Sequence, residues 1–167
     1  AEVMTDDGGF RTGDLGKMVD GYLSITGRVK SQFKLENGKY VSPAPLEENL
    51  KLSPLVEQCV LDGRNMRNTY LIVHPAIKPL CEALTAAGIT PPKDKADICN
   101  SSEVKAWLLK HLSENNMQEP TWKGYEKARN IILDPEEWSV DNDLMTPSLK
   151  VKLRNLLDRH DEAIKAL

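Results

Sequence analysis

The sequence has little cysteine, no long apolar run and no excess of positive charge, and each of these absences excludes a class of protein. Its cysteines, Cys59, Cys81 and Cys99, are odd in number and widely spaced, which fits neither a disulfide framework nor paired zinc ligands. We interpret them as reduced thiols rather than as catalytic groups. The formal net charge of −3 argues against a nucleic-acid partner, because general nucleic-acid binders tend to be strongly basic.

Nothing in the sequence predicts a membrane span or a secretion signal. The longest uninterrupted aliphatic stretches, at 71–73 and 131–133, are far shorter than the roughly 20 apolar residues of a transmembrane helix. Residues 1–7 have neither the basic nor the apolar region of a signal peptide. Because the chain opens without an initiator methionine, we expect a cut at its start. We expect a cytoplasmic protein and leave peripheral attachment to a membrane open.

What is present is enough for a folded domain. The chain has 167 residues, of which 40% are hydrophobic and 28% are charged, so it can bury a core typical of its length. The charge is unevenly distributed: residues 134–143 hold five acids and no base. Around the single acid Glu36 lies a basic cluster, which consists of Arg28, Lys30, Lys34 and Lys39.

Turn dipeptides and short β-type runs predict the strands. Asp20-Gly21 and Asn37-Gly38 each lie between two such runs, and both dipeptides suit tight hairpins with positive φ. Further strands are predicted at 56–61, 69–74 and 128–133. Strands and helices alternate without the regular β-α-β order of a doubly wound sheet.

Apolar residues at helical spacing predict helices that begin near Pro43, Ile77, Ser102 and Thr146. Ser102 is expected to be the N-cap of its helix, and residues 89–101 are expected to form a loop. In the last helix Thr146 would be the N-cap and Pro147 the first helical residue. We therefore expect an α+β fold in which a small mixed or antiparallel sheet is flanked by helices and preceded by a β-hairpin.

The common local signatures of catalysis are missing from the sequence. It contains no G-x-x-x-x-G-K-[ST], no G-x-G-x-x-G, no G-x-S-x-G and no H-E-x-x-H. The three histidines, His74, His111 and His160, are scattered along the chain. We interpret them as surface or structural residues, and we expect no metal ligands.

Three segments depart from this plain description. They are residues 9–14 (GFRTGD), residues 27–43, which contain GRVK and FKLENGKYVSP, and residues 146–152 (TPSLKVK). Together, in this order and spacing, they resemble the C-terminal end of the AMP-forming acyl-CoA synthetases, which belong to the adenylate-forming enzyme superfamily. The middle segment, with residues 97–100 after a helical insertion, is most similar to the long-chain fatty-acid branch.

The resemblance implies a domain division and an activity. Residues 1–29 would be the C-terminal tail of a large adenylate-forming domain, and residues 30–167 a small C-terminal lid domain. The complete ligase would use ATP and Mg²⁺ to convert a fatty acid to acyl-AMP, and would then transfer the acyl group to CoA. The family's phosphate loop and acyl pocket lie in the large domain, so this chain alone is expected to be inactive and to bind no cofactor tightly. Its expected partners are the fatty acid, ATP, CoA and that missing domain.

Two site residues are implied at the nucleotide. Asp14 matches the family's aspartate that binds the ribose hydroxyls, and a carboxylate can accept two hydrogen bonds from a vicinal diol. Arg28 matches an arginine beside the nucleotide, where a guanidinium supplies fixed donors to oxygen atoms. The structural alternatives are a turn residue after Gly13 and a surface arginine on the hairpin.

Two lysines of the middle segment also match family positions. Lys30 matches the hinge between the two domains. Lys34 matches a catalytic lysine that faces the active site during thioester formation in some relatives. The alternative for Lys34 is a strand-edge lysine that discourages pairing between molecules.

Lys150 matches the catalytic lysine of adenylation, which reaches the fatty-acid carboxylate and the α-phosphate. In the predicted helix, Lys150, Lys152 and Arg154 would crowd the first turn and oppose the helix dipole, so an anion is expected nearby. The alternative anion is the acidic segment 134–143, which would account for Lys152 and Arg154.

Two other functions remain open at the level of sequence. An acyl carrier protein could replace CoA as the acceptor after the same adenylation step. Alternatively, the chain could be a binding or regulatory module without chemistry that uses the basic hairpin to bind anions.

Overall fold

A three-stranded mixed sheet lies between a layer of helices and a C-terminal layer in the computed structural model, which describes residues 3–167. Its strands are β1 (Asp14–Val19), β2 (Tyr22–Arg28), β3 (Phe33–Lys34), β4 (Tyr40–Val41), β5 (Val56–Asp62), β6 (Tyr70–Pro75) and β7 (Asn130–Leu133). Its α-helices are α1 (Pro43–Leu50), α2 (Ile77–Ala86), α3 (Lys95–Asn100), α4 (Ser102–Asn115), α5 (Leu153–Arg159) and α6 (Asp161–Lys165). The predicted α+β class is confirmed.

Both predicted hairpins are present. Strands β1 and β2 pair antiparallel around Asp20 and Gly21, whose φ values of 49° and 83° are those of a turn with two left-handed residues. Strands β3 and β4 pair antiparallel around Gly38, which has a φ of 84°. A short 3-10 helix, Val29–Ser31, connects the two hairpins.

The central sheet has the order β5-β6-β7, with β5 antiparallel and β7 parallel to β6. Every residue of β6 is buried, because both faces of the sheet are covered. Side chains alternate between the faces along each strand. Leu71 and Val73 lie in one core with residues of α1, α2, α3 and α4, and Ile72 lies in a second core with residues from the C-terminal part of the chain.

The second core is anchored by a buried aspartate. Asp134 follows β7 and is fully buried, and its carboxylate accepts hydrogen bonds from Trp138 Nε1 at 3.0 Å and from the backbone N–H of Glu136 at 3.0 Å. His160 Nε2 lies 3.0 Å and Arg159 Nε 3.4 Å from its Oδ2. One carboxylate therefore joins the sheet to the last two helices.

The helical predictions need three corrections, the first two of which concern α3 and α4. Residues 89–101 are not all loop, because Asp94 accepts a hydrogen bond from Ala96 N at 2.8 Å and caps α3. Ser101, not Ser102, caps α4 by accepting from Val104 N at 3.3 Å.

No helix within residues 3–167 is long and apolar enough to span a membrane.

The third correction concerns residues 146–152, which form a tight turn and not the start of a helix. Met145 and Val151 make an antiparallel bridge, and Leu149 has a φ of 57°. Thr146 N donates to the carbonyl oxygen of Lys150 at 2.8 Å. A left-handed residue and cross-turn pairing are incompatible with an α-helix, so the helix begins only at Leu153.

Candidate functional site

Asp14 and Arg28 form an ion pair at the base of the first hairpin. They lie opposite each other at the ends of β1 and β2, and Arg28 Nε donates to Asp14 Oδ1 at 2.7 Å. This hydrogen bond lowers the pKa of Asp14 below its usual value. The turn before the pair is fixed by a hydrogen bond from Asp14 N to Thr12 Oγ1 at 3.1 Å and by another from Val29 N to Gly13 O at 2.9 Å. The fold thus joins two residues that the sequence places 14 positions apart.

Three adjoining clefts share Arg28 and Ser31. The first, of about 680 Å³, is lined by residues 3–6 and 11–13. The second, of about 350 Å³, includes Asp14 and the start of α1. The third, of about 750 Å³, includes Lys30 and residues 149–151. Arg28 therefore lies where the three clefts meet.

The third cleft, which we call the basic cleft, carries an excess of positive charge. The cations that line it are Arg28, Lys30, Lys51, Arg64 and Lys150. The acid that lines it is Glu47, whose Oε1 accepts a hydrogen bond from Leu61 N at 2.9 Å. Burial raises the pKa of Glu47. An anion is therefore the ligand that the basic cleft favours.

Lys150 reaches this cleft from the 146–152 turn. The Thr146 hydroxyl accepts a hydrogen bond from Lys150 N at 3.1 Å, which fixes the backbone at this residue. No carboxylate in the described chain lies within ion-pair distance of Lys150 or Lys30. The helix dipole does not account for an anion here, because α5 starts after Lys150. An anion is expected here because two unpaired cations, Lys30 and Lys150, share one cleft.

The neighbouring cations of the turn have partners of their own. Lys152 pairs with Asp143, as the acidic segment predicts. This pair lowers the pKa of Asp143. Arg154 does not pair with that segment, because its Nε lies 3.9 Å from Asp158 within α5. Lys150 is therefore distinguished from Lys152 by its free ammonium group.

Lys34 does not join the other predicted residues. It is exposed on β3 opposite Tyr40 and lines none of the three clefts. Its backbone oxygen accepts a hydrogen bond from Asn65 N at 2.8 Å. The structure therefore brings together Asp14, Arg28, Lys30 and Lys150 and leaves Lys34 apart.

Two cations of the basic cleft were not predicted from the sequence. Lys51 follows α1 and pairs with Glu48 at 2.7 Å, and Arg64 lies in the loop between β5 and β6. Charge is the only signal that either residue carries in the sequence. Whether that charge lies in the cleft depends on the folded path of two loops, which no local pattern specifies.

The residues present do not fit a Mg²⁺ site. Within the part of the chain that the structure describes, no three His, Cys, Asp or Glu side chains are grouped as metal ligands. The basic cleft offers mainly cations, whereas Mg²⁺ requires oxygen ligands in octahedral geometry.

The histidines and cysteines also lie away from these clefts, except for Cys59. His74 is buried and its Nδ1 lies 2.9 Å from Asp134 O, while His111 stacks on Trp107. All three cysteines are free thiols. Cys59 borders the basic cleft, but burial raises the pKa of its thiol to about 12, so it is protonated at neutral pH.

Comparison with solved structures defines the class of fold. The chain aligns over 98% of its length with 24% of the A domain of carboxylic acid reductase from Segniliparus rugosus, which was solved with AMP and a co-purified carboxylic acid, at a TM-score of 0.75 and 25% identity. It aligns over 95% of its length with 25% of ATP-bound MatB from Rhodopseudomonas palustris, at a TM-score of 0.57 and 20% identity. The chain therefore has a fold found in the adenylation domains of the adenylate-forming superfamily.

Sequence comparison finds relatives among the long-chain-fatty-acid–CoA ligases. The chain is 32% identical over 160 residues to long-chain-fatty-acid–CoA ligase 1 of Homo sapiens. This alignment covers 93% of the chain and 22% of that ligase. It is 33% identical over 163 residues to fatty acyl-CoA synthetase B of Dictyostelium discoideum, covering 96% of the chain and 24% of that synthetase. No family model matches the chain. The chain is homologous to the C-terminal part of long-chain-fatty-acid–CoA ligases, and it spans about a quarter of their length.

Proposed function

We propose that the chain is the C-terminal lid domain, with a short tail of the preceding domain, of an AMP-forming long-chain fatty-acid:CoA ligase. The observation that carries this proposal is the basic cleft, where Arg28, Lys30 and the unpaired Lys150 line one surface. The relatives of the chain are named as ligases of long-chain fatty acids and CoA.

ATP is the nucleotide that we propose for the complete enzyme. Solved proteins of the same fold were determined with AMP or ATP bound. A carboxylate oxygen of the fatty acid would attack the α-phosphorus, and the bond from that phosphorus to the bridging oxygen would break, releasing pyrophosphate. The thiolate of CoA would then attack the acyl carbonyl carbon and displace AMP.

Residues of this chain would act on the nucleotide. Asp14 would accept hydrogen bonds from the ribose hydroxyls, and Arg28 would donate to oxygen atoms beside it. Lys150 would offset the negative charge that gathers between the carboxylate and the α-phosphate. Lys34, outside the basic cleft, would serve thioester formation after the lid has rotated.

The proposed domain division follows from the same assignment. Residues 1–29 would complete the large N-terminal domain, which would hold the phosphate loop and acyl pocket and whose action would require Mg²⁺ with the triphosphate. Residues 30–167 would move as the lid. We expect the complete enzyme in the cytoplasm or attached peripherally to a membrane.

An assay of both half-reactions on the full-length protein tests the proposal. Fatty-acid-dependent release of pyrophosphate from ATP measures adenylation, and supply of either CoA or an acyl carrier protein identifies the acceptor. We expect pyrophosphate release and a CoA thioester. Release of pyrophosphate with transfer only to the carrier protein would reassign the acceptor, and absence of release would favour an anion-binding module without chemistry.

A further inference from the structure

The basic cleft contains a second arginine that is held in the same way as Arg28. The Nε atom of Arg64 lies 3.1 Å from Asp62 Oδ1 and 3.1 Å from Asp62 Oδ2. The Asp62 side chain is only 1% exposed, whereas that of Arg64 is 50% exposed. In both arginines the carboxylate engages Nε, and the terminal nitrogens make no hydrogen bond to any residue from 3 to 167. These nitrogens are available to a ligand.

The backbone around Arg64 is also fixed. Asp62 Oδ1 accepts hydrogen bonds from Gly63 N at 2.8 Å and from Arg64 N at 3.2 Å. A Cβ added at Gly63 would lie 2.8 Å from the backbone oxygen of Asn68, so the loop passes too close for any other residue. Asn65 N donates to Lys34 O and ties the loop to β3. Arg64 is therefore held before any ligand binds, which lowers the entropic cost of binding.

The chemistry of the basic cleft selects the ligand. Its cations outnumber its one acid, and Glu47 is already engaged by Leu61 N. A guanidinium with both terminal nitrogens available matches the paired oxygens of a phosphoryl group. A carboxylate would meet the same donors, but the nucleotide substrates carry several phosphoryl groups and so match several cations.

We propose that Arg64 binds phosphoryl oxygens of a nucleotide substrate and that Asp62 is its positioning residue. This inference rests on the proposed function, which supplies two such substrates. The phosphoryl groups could be those of ATP or those of CoA.

Equilibrium binding to the full-length protein tests the inference without requiring turnover. The probes are ATP, CoA and inorganic tripolyphosphate, each titrated calorimetrically without fatty acid. Arg64→Ala should weaken binding of at least one probe roughly tenfold or more, as loss of a charge-assisted hydrogen bond implies. Weakening for ATP and tripolyphosphate assigns Arg64 to the polyphosphate of ATP, and weakening for CoA alone assigns it to the phosphates of CoA.

Arg67→Ala is the matched control, because Arg67 is an exposed arginine of the same loop that lines none of the three clefts. It should leave all three affinities within about twofold, since it removes the same charge at the edge of the loop. Unchanged affinities in Arg64→Ala, or an equal loss in Arg67→Ala, would overturn the inference. So would a wild-type protein that binds none of the probes.

Two further variants separate geometry from charge. Arg64→Lys keeps the charge but loses the clamp at Nε, so it should recover only part of the affinity. Full recovery would show that Asp62 does not position the group. Asp62→Asn should weaken binding of the same probe. Arg64→Ala should leave the melting temperature near that of the wild type. If binding depends on Arg64 but no fatty acid is adenylated, the proposed function fails and the anion site stands.

Discussion

At the scale of single residues, the site depends on which charges are already paired. Arg28 and Arg64 are each held through Nε by Asp14 and Asp62, respectively. Such clamps lower the cost of placing a guanidinium for a ligand. Lys150 has no ion-pair partner in the described structure, so its ammonium group is available to a ligand.

Asp14→Ala tests the first clamp in the full-length protein. We expect the KM for ATP to rise roughly tenfold or more, because the ribose loses a charged acceptor and Arg28 loses its partner. The melting temperature should change little, since exposed ion pairs contribute little to stability. Steady-state kinetics at varied ATP concentration and thermal melting measure both quantities. An unchanged KM with a large fall in melting temperature would show that Asp14 is a structural turn residue.

Lys150→Ala tests the unpaired lysine. Fatty-acid-dependent pyrophosphate release should slow roughly 10²-fold to 10³-fold, as on removal of one fixed donor to a developing negative charge. Thioester formation from supplied acyl-AMP should remain near normal, because the lid would have turned Lys150 away. Rapid-quench measurement of each half-reaction gives the two rates.

Lys152→Ala is the control for this experiment. Lys152 is already paired with Asp143, so its loss should leave both half-reactions nearly unchanged. A severe defect in Lys152→Ala with a mild one in Lys150→Ala would exchange their roles. A normal rate of adenylation in both variants would remove the turn from the mechanism.

At the scale of elements, local sequence patterns predict the turns and helices that local backbone preferences determine. Asp20 and Gly21 specify the first hairpin because both adopt the left-handed backbone, and Gly38 alone does so in the second. Helix α3 has no helical period in the sequence, because only Ile98 and Cys99 of its six residues are buried. The helix predicted to begin at Thr146 is wrong because Thr-Pro suits a helix start as well as the turn that forms at 146–152.

The candidate site residues come from motif resemblance, and their roles stay predictions. Motifs identified Asp14, Arg28, Lys30 and Lys150, and the fold places these residues around adjoining clefts. Arg64 could not be found this way, because it joins the cleft through a loop tied to β3 by long-range hydrogen bonds. Pairing between distant segments leaves no periodic signal in either of them.

Asp134 should control how the last helices respond to acid. Burial raises its pKa, but the hydrogen bonds from His160, the Glu136 amide and Trp138, with the charge of Arg159, outweigh burial and leave the pKa below the usual value. A carboxyl group with a lowered folded pKa stabilises the fold above its unfolded pKa, near 4, and loses that contribution as the pH falls through the folded value. Stability should therefore fall below about pH 4.

Removing this carboxylate should be costly at neutral pH as well. Asp134→Ala leaves the buried Trp138 Nε1–H and the partly buried His160 without an acceptor, and it should lower the free energy of unfolding by about 3 to 5 kcal/mol. Urea unfolding at pH 3 to 8 measures both the loss and its pH dependence. Asp141→Ala, an exposed acid of the same segment, should behave like wild type. Equal stability of Asp134→Ala and wild type at pH 7 would contradict the assignment.

At the scale of the whole molecule, the first hairpin differs from the rest of the fold. Strands β1 and β2 lie outside both cores and expose apolar side chains, namely Met18, Val19, Tyr22, Leu23 and Ile25. Such exposure of apolar side chains is unusual for a protein surface that faces only solvent. It supports the proposal that residues 1–29 pack against the large N-terminal domain and that the lid begins at Lys30.

Lys30→Pro tests whether the lid turns at this residue. Lys30 is the second residue of the 3-10 helix Val29–Ser31, where the usual φ of about −50 to −70° is compatible with the φ near −65° that proline imposes. The variant should therefore keep the observed arrangement, in which Lys150 shares a cleft with Arg28, and should retain acyl-AMP formation. It should impair transfer to CoA, because that step would need a different φ and ψ at the hinge. Lys30→Ala is the control, because it removes the same cleft-lining charge but leaves the backbone free. A loss that both variants share belongs to the charge, and only the additional loss of transfer in Lys30→Pro belongs to the hinge. Equal loss of both half-reactions in Lys30→Pro, or no loss of either, would place the hinge elsewhere.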